Sequence, residues 1–546
     1  MQIQVRINEE GALRNQRHAF TNRYTLVCEL LQNARRAGAK CIEIEHDAAA
    51  QRLCVHDDGC GLDDFQKLLS LHESGWDEAT VAEESPFGVG FSKCLYAATR
   101  CIVASGCQRV DIDTEAALAK ALIEVEALPV AEAVTGTRIE LQGVDLPDLE
   151  ARIEDLCLGF AVPVLFNGRP LTRRCALSGL DTLATPIGAM HLAGALDGRY
   201  SHDTLVFLQG FCVLKPTCCP GDRVNVVHLD PRQFMARLPD RDKLIDEDVQ
   251  RKRIDAVVKA CWRRTLEIAR SEWPPERFVQ TYYEAMRGWG QLDLLNDLDV
   301  LPAGLCDTIV GYPVQADHGL REYLQPAARP PTRGDIESGA VRLVALDWVG
   351  DDNGARWMLA RSRGDLVFDW IGLHHDHWAQ RHVRFLEDEP VQVEAVSEQV
   401  RTRLEGRWVW PDVILCEAVR IRVGQDEATI ADAGVCHEGT LYIPAGETTG
   451  TPVLQLSSFT DGNEQFLEAD QDADREALAD LIFRLRAVDP VQALDSLLHD
   501  LRLGKYPVLH GRSFRLTVGV GTWPGHSIEL LGYDDEHAPP ARRRPR

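Results

Sequence analysis

Glu29 and Asn33 stand four residues apart in a run where Leu26, Leu30 and Ala34 recur at helical spacing. On a helix, that separation brings both side chains to one side. A carboxylate there can accept a proton from an attacking water, and an amide oxygen is a hard ligand suited to a magnesium ion already held by phosphates. Further on, Arg52 to His56 reads as a strand and runs into Asp57-Asp58-Gly59-Cys60-Gly61. An aspartate at a strand end can accept a hydrogen bond from an exocyclic amine, and glycines let backbone approach a flat ring. Phe87-Gly88-Val89-Gly90-Phe91 then precedes a helical stretch, Ser92 to Ala98. Main-chain N–H groups at a glycine-rich helix start attract anions, and a triphosphate is such an anion. Gly136-Thr137-Arg138-Ile139 comes last. Taken singly, these features describe a solvated helix face and an Asp-Gly turn. Their order along the chain describes an ATP pocket.

That order resembles the GHKL ATPase superfamily, which comprises gyrase, the heat-shock ninety chaperones, histidine kinases and MutL-type mismatch-repair ATPases. The resemblance covers roughly the first quarter of the chain. It is closest to the chaperone branch, through Ser74-Gly75, Phe87 to Phe91 and the apolar helix and strand (Cys101 to Ser105) that follow. By this likeness Glu29 is the general base, Asn33 the metal ligand, and ATP and Mg2+ the cofactors. Asp57 would read the adenine amine, with Thr137 behind it through water, and Gly59 and Gly61 would frame the base. Phe87, Gly88, Val89, Gly90 and Phe91 would cradle phosphates, and Ser74 and Gly75 would belong to a lid running from about Asp63 to Pro86. One position departs from the family pattern. An acidic residue usually follows the magnesium asparagine by three positions, and Arg36 stands there instead.

These groups need a scaffold. Thr21 or Asn22 can cap the first helix and Gly38 can end it. Strand patterns at 41–45, 109–113, 121–126 and 137–141 complete an α+β sandwich of the Bergerat type, expected over residues 1–145. Ile3, Val5 and Ile7 alternate as an edge strand does; such a strand either completes its own sheet or, as in relatives, straps across to a second protomer. Residues 146–272 read as an α/β domain resembling the superfamily's transducer. It comprises a connecting helix (149–158), an Asn167-Gly168 hairpin, strands at 204–208, 211–214 and 224–228, and a long helix from about Asp246. In relatives that domain sends a cation onto the terminal phosphate. Arg241 and Lys243 are the catalytic candidates here, with Lys215 next. The arginines and lysines of the long helix read as a solvated face balanced by nearby carboxylates.

Residues 273–330 read as a helical connector and 331–546 as an α+β region of unknown role. Strand-like runs there include 341–346, 357–361, 391–396 and 413–423, with helices at 472–487 and 490–503. His374-His375-Asp376-His377 offers metal-ligating groups, but adjacent loop residues are not expected to converge on one centre.

The totals fit a multidomain intracellular protein. The chain has 546 residues and a net charge of -25, which argues against a surface coated for nonspecific nucleic-acid binding. Sixteen cysteines are scattered without Cys-x-x-Cys spacing, so neither a disulfide framework nor a zinc module is expected. The start is not a signal peptide and no apolar run spans a bilayer, so a cytoplasmic location away from membranes is expected. The leading expectation is an ATP-dependent homodimeric switch acting on a protein client or partner complex. The alternatives are a DNA-linked ATPase of a repair, topoisomerase-like or defence system, and a nucleotide-sensing scaffold with little hydrolysis, for which Arg36 leaves room.

Overall fold

The computed structural model describes residues 3–4, 8–16, 22–70, 75–76, 78, 80, 90–216, 223–237, 242–314, 321–347, 349–350, 353–456, 468–499, 501–520 and 525–533. The chain divides into two compact units, Met1–Leu298 and Asp299–Arg546. Among the described residues no helix is long and apolar enough to cross a membrane, and the cysteines are free thiols. Val5 and Ile7 of the expected edge strand lie outside the described residues.

The first unit opens with a short helix, Glu9–Gln16, and the Thr25–Arg36 helix that follows buries Leu26, Val27, Leu30, Leu31 and Ala34 against a sheet. The strands beneath it are β1 (Ile42–Asp47), β2 (Arg52–Asp57), β3 (Arg100–Gly106), β4 (Gln108–Asp113), β5 (Val125–Ala127), β6 (Val134–Gln142), β7 (Val164–Phe166) and β8 (Arg169–Pro170). They form an eight-stranded mixed sheet in the order β5-β4-β3-β6-β2-β1-β7-β8. Along β1, Ile42 and Ile44 are buried while Glu43 and Glu45 are exposed, the alternation of a sheet with one covered face. The short Ser92–Ala97 helix shares that core through Cys94 and Leu95. Although the first domain was expected to end near 145, its sheet runs on to Pro170. The Asn167-Gly168 hairpin is too short to be stable alone, and β7 pairs in parallel with the otherwise open edge of β1.

A five-stranded sheet follows, in the order β12-β11-β13-β10-β9. Its strands are β9 (Leu183–Thr185), β10 (Gly188–His191), β11 (Thr204–Leu208), β12 (Phe211–Leu214) and β13 (Asn225–Leu229). The long Glu247–Glu272 helix buries one stripe, Ile254, Val258, Trp262, Leu266 and Ala269, and stacks Trp262 on Trp289 of the Pro275–Trp289 helix. Several of its cations are paired: Arg251 with Glu247, Arg263 with Glu267 and Asp293, and Arg270 with Asp297.

In the second unit, β14 (Cys306–Ile309), β15 (Leu324–Pro326), β16 (Leu343–Ala345), β17 (Leu366–Phe368) and β18 (Val383–Phe385) form a sheet ordered β15-β14-β17-β16-β18. A second sheet is built around a long hairpin, β19 (Val391–Arg403) and β20 (Asp412–Val423), with β21 (Asp426–Ile430), β22 (Val435–His437) and β23 (Thr440–Ile443). Residues 357–361, expected as a strand, lie instead in the Gly354–Arg363 helix. Trp357, Met358, Leu359 and Ala360 are all buried because this helix packs against strands of both sheets, so its apolar residues carry no helical period. The Glu468–Arg486 helix is pinned by Asp474, wholly buried, whose carboxylate accepts the backbone N–H groups of Trp408 (2.9 Å) and Val409 (3.0 Å) as well as that of Arg407.

Candidate active site

β2 ends at Asp57, and the register of the sheet decides what surrounds it. Asp57 pairs with Thr137 of β6, and Thr137 pairs in turn with Ser105 of β3. Directly opposite residues share a face, so these three side chains form one cross-strand row. The Ser105 hydroxyl donates to the Gly136 carbonyl (2.7 Å) and accepts the Leu62 N–H (2.8 Å), which fixes the loop after the Asp-Gly run. Ser105 belongs to no recognisable motif, and sequence reasoning passed over its role.

The two adjacent aspartates have separate tasks. Asp58 accepts the N–H groups of Lys40 (2.6 Å) and Cys41 (3.0 Å), tying the loop to the start of β1, and those bonds hold its carboxyl below the ordinary range. Asp57 is 7% exposed. Burial pushes its carboxyl above the ordinary range, opposed by the Gly59 N–H (2.9 Å) and the neighbouring His56.

A cavity of about 670 Å³ opens over this row. Glu29, Asn33, Asp57, Gly61, Gly75, Gly90, Phe91 and Thr137 all line it, so one space gathers candidates drawn from five separate stretches of sequence. The helix brings Glu29 and Asn33, the strand end brings Asp57, and Gly90 and Phe91 lead into the Ser92–Ala97 helix. Glu29 is nearly buried, at 5% exposure. A Cβ placed on Gly90 would come within 2.2 Å of Glu29 Oε2, so only glycine leaves that carboxylate its position. Gly59 is not a lining residue; it backs Asp57, and a Cβ there would meet Ala37 at 2.7 Å. Arg36, the departure from the family pattern, lines the cavity, as does Lys67, whose ammonium is paired with Asp63 (2.7 Å). Of the expected lid, Phe65–Leu68 is a 3-10 turn, and Gly75 and Trp76 reach the cavity. Ser74, Phe87, Gly88, Val89 and Arg241 lie outside the described residues.

Gly136 holds the rim at φ +70°, and a Cβ there would sit 1.9 Å from the Asp57 carbonyl oxygen. Left-handed backbone alone costs a substituted residue about 1–3 kcal/mol, and the clash adds to it by prising β2 from β6. Gly136→Ala is therefore expected to lower the melting temperature and weaken nucleotide binding together. A calorimetric melt checks the first and a ligand titration the second.

Lys243 and Lys215 line a second cavity, of about 470 Å³, between the Thr25–Arg36 helix and the five-stranded sheet. Glu29 borders this cavity as well as the first. The same helix is tied to the sheet by a bond from Gln32 Nε2 to Gln209 Oε1 (2.7 Å), at the tip of the β11–β12 hairpin.

Residues 22–140 match the family described as "Histidine kinase-, DNA gyrase B-, and HSP90-like ATPase". They form a GHKL ATPase domain within a mixed α+β chain. The family's description spans three branches, so the match sets the superfamily and leaves the chaperone branch open. No curated protein matches. Among solved structures, the chain is similar to the ATPase region of Saccharomyces cerevisiae topoisomerase II at 12% identity. That likeness covers 40% of this chain and 76% of that chain, with a TM-score of 0.29.

Proposed function

We propose that this protein is a magnesium-dependent ATPase whose nucleotide state drives a conformational switch. The observation that carries this reading is the shared cavity. Glu29, Asn33, Asp57, Gly90 and Thr137 line one space, and its volume lies in the range of small-molecule sites. The groups suit the ligand: a buried acceptor for an exocyclic amine, main-chain N–H donors free of side chains for the phosphates, and a carboxylate beside them. Asn33 would hold Mg2+ through its amide oxygen, and the bound ion would neutralise phosphate charge.

Glu29 accepts a proton from the attacking water as the water oxygen bonds to the γ-phosphorus and the bond to the bridging oxygen breaks. A cation from a segment flanking the five-stranded sheet stabilises the charge that develops on the phosphoryl oxygens. Lys243 and Lys215 are the described candidates, since both share a cavity with Glu29. Lys243→Ala is expected to lower kcat by about 10²-fold with little change in KM. The same loss in Lys215→Ala, with Lys243→Ala unaffected, reassigns the role to Lys215.

Differential contacts with the γ-phosphate would bias closed against open states, with two protomers meeting through their nucleotide domains. A protein client or partner complex is the favoured target, in the manner of the heat-shock ninety branch, and the net charge of -25 supports it over nucleic acid. Titration of the full chain with ATP and Mg2+, followed by phosphate release, tests the core of this reading. Saturable binding with turnover is expected, and absence of binding overturns it.

A further inference from the structure

In the second unit, β16 lies between two parallel neighbours, β17 and β18. The chain crosses from β16 through the Gly354–Arg363 helix to β17, then returns to the other side of β16 as β18. The return connection starts at the carboxyl end of β17, the edge where open parallel sheets carry their ligands. His374, His375 and Asp376 stand in this connection, just past the Trp370–Gly372 turn.

Their donor atoms converge. One ligand atom from each of the three residues lies within 4.8 Å of the others, among the described residues the one His/Cys/Asp/Glu group of this kind. Asp376 Oδ2 is 3.9 Å from His374 Nδ1 and 3.2 Å from His375 Nε2. Metal–ligand arms of about 2.0–2.1 Å in tetrahedral geometry place donors about 3.3 Å apart, so small side-chain adjustments close the set. The loop is held on both flanks. Leu373 and His377 are buried, the His377 N–H donates to the His374 carbonyl (3.0 Å), and the His377 Nδ1 accepts the Ala379 N–H (3.1 Å). Buried Trp378 follows, with the Arg333 guanidinium over its ring. The Asp376 N–H approaches His374 Nδ1 at 3.3 Å, a long bond that a metal would replace.

We propose that His374, His375 and Asp376 form a transition-metal site independent of the nucleotide cavity. Two imidazoles and one carboxylate select a borderline ion such as Zn2+ over Mg2+ or Ca2+, which prefer oxygen donors. His375 and Asp376 are largely exposed, with side chains 79% and 69% accessible, which leaves at least one coordination position to water or to an anionic group of a partner.

The full chain, reduced and freed of metal by chelation, is titrated with Zn2+ against a chromophoric chelator, with Co2+ as a spectroscopic probe. Wild type is expected to bind one more Zn2+ than His375→Ala, and Asp376→Asn to weaken that ion by at least about tenfold. Bound Co2+ should give visible bands without a near-ultraviolet thiolate band, and millimolar Mg2+ should not displace it. Two results overturn the proposal: equal stoichiometry and affinity in wild type and His375→Ala, or a thiolate band as the sole Co2+ signal, which would place the metal on cysteines such as exposed Cys60 and Cys107. Because His375 is exposed, its replacement is not expected to disturb folding, and unchanged circular dichroism checks this.

Discussion

Glu29→Ala is expected to cut ATP turnover by about 10²- to 10⁴-fold while ATP affinity changes by no more than a few-fold. The size of the effect follows from position. Glu29 is almost wholly enclosed, and Gly90, at the entry to the Ser92–Ala97 helix, is kept free of a Cβ that would reach its carboxylate. Asn33 stays one helical turn away, so under the proposed mechanism the substitution removes the base and leaves the metal ligand in place. Phosphate release under saturating ATP reads the turnover, and isothermal titration reads the affinity. Undiminished turnover sinks the assignment of the base. Equal and very low turnover in both proteins identifies a nucleotide-sensing scaffold, the outcome that Arg36 in the cavity makes worth testing.

Asp57→Asn is expected to act on recognition. An aspartate that accepts from the adenine amine loses an ionised acceptor when it becomes an amide, at a cost of about 1.5–3 kcal/mol, or roughly ten- to a hundredfold in affinity. Guanine presents a carbonyl at the same position, and the amide can donate to it. The ratio of ATP to GTP affinity should therefore narrow, which a loss of fold would not produce. Burial raises the Asp57 carboxyl above the ordinary range, so wild type takes up a proton there at a higher pH than an exposed aspartate does. The proton turns an acceptor oxygen into a donor facing the amine. ATP affinity should thus be full well above the raised pKa and fall as pH drops through it, and Asp57→Asn should flatten that profile.

The parts of the site that could be read from sequence are those fixed by local geometry. Glu29 and Asn33 share a helix face through their spacing alone, and Asp57 sits where a strand meets glycines, so neither needs tertiary information. Ser105 needs register. It joins the row only because β6 lies between β2 and β3, and one serine at the end of an apolar strand carries no signal of that. The hairpin at 164–170 was legible as a hairpin, but its membership in the first sheet depends on the free edge of β1. Residues 357–361 failed for another reason: four apolar residues in a row have no period, and burial between two sheets made them helix. His374 to Asp376 differ from the expectation in spacing alone. Adjacency along the chain argued against convergence, whereas a loop anchored by buried Leu373 and His377 brings the donors together.

The bond between Gln32 and Gln209 joins two uncharged amides across the boundary between helix and sheet. Such a bond contributes about 1 kcal/mol, little more than thermal energy, so it breaks and re-forms readily. Because neither partner is ionised, its strength hardly varies with salt. The tie between the Thr25–Arg36 helix and the neighbouring sheet should persist at ionic strengths that would weaken one built from exposed ion pairs.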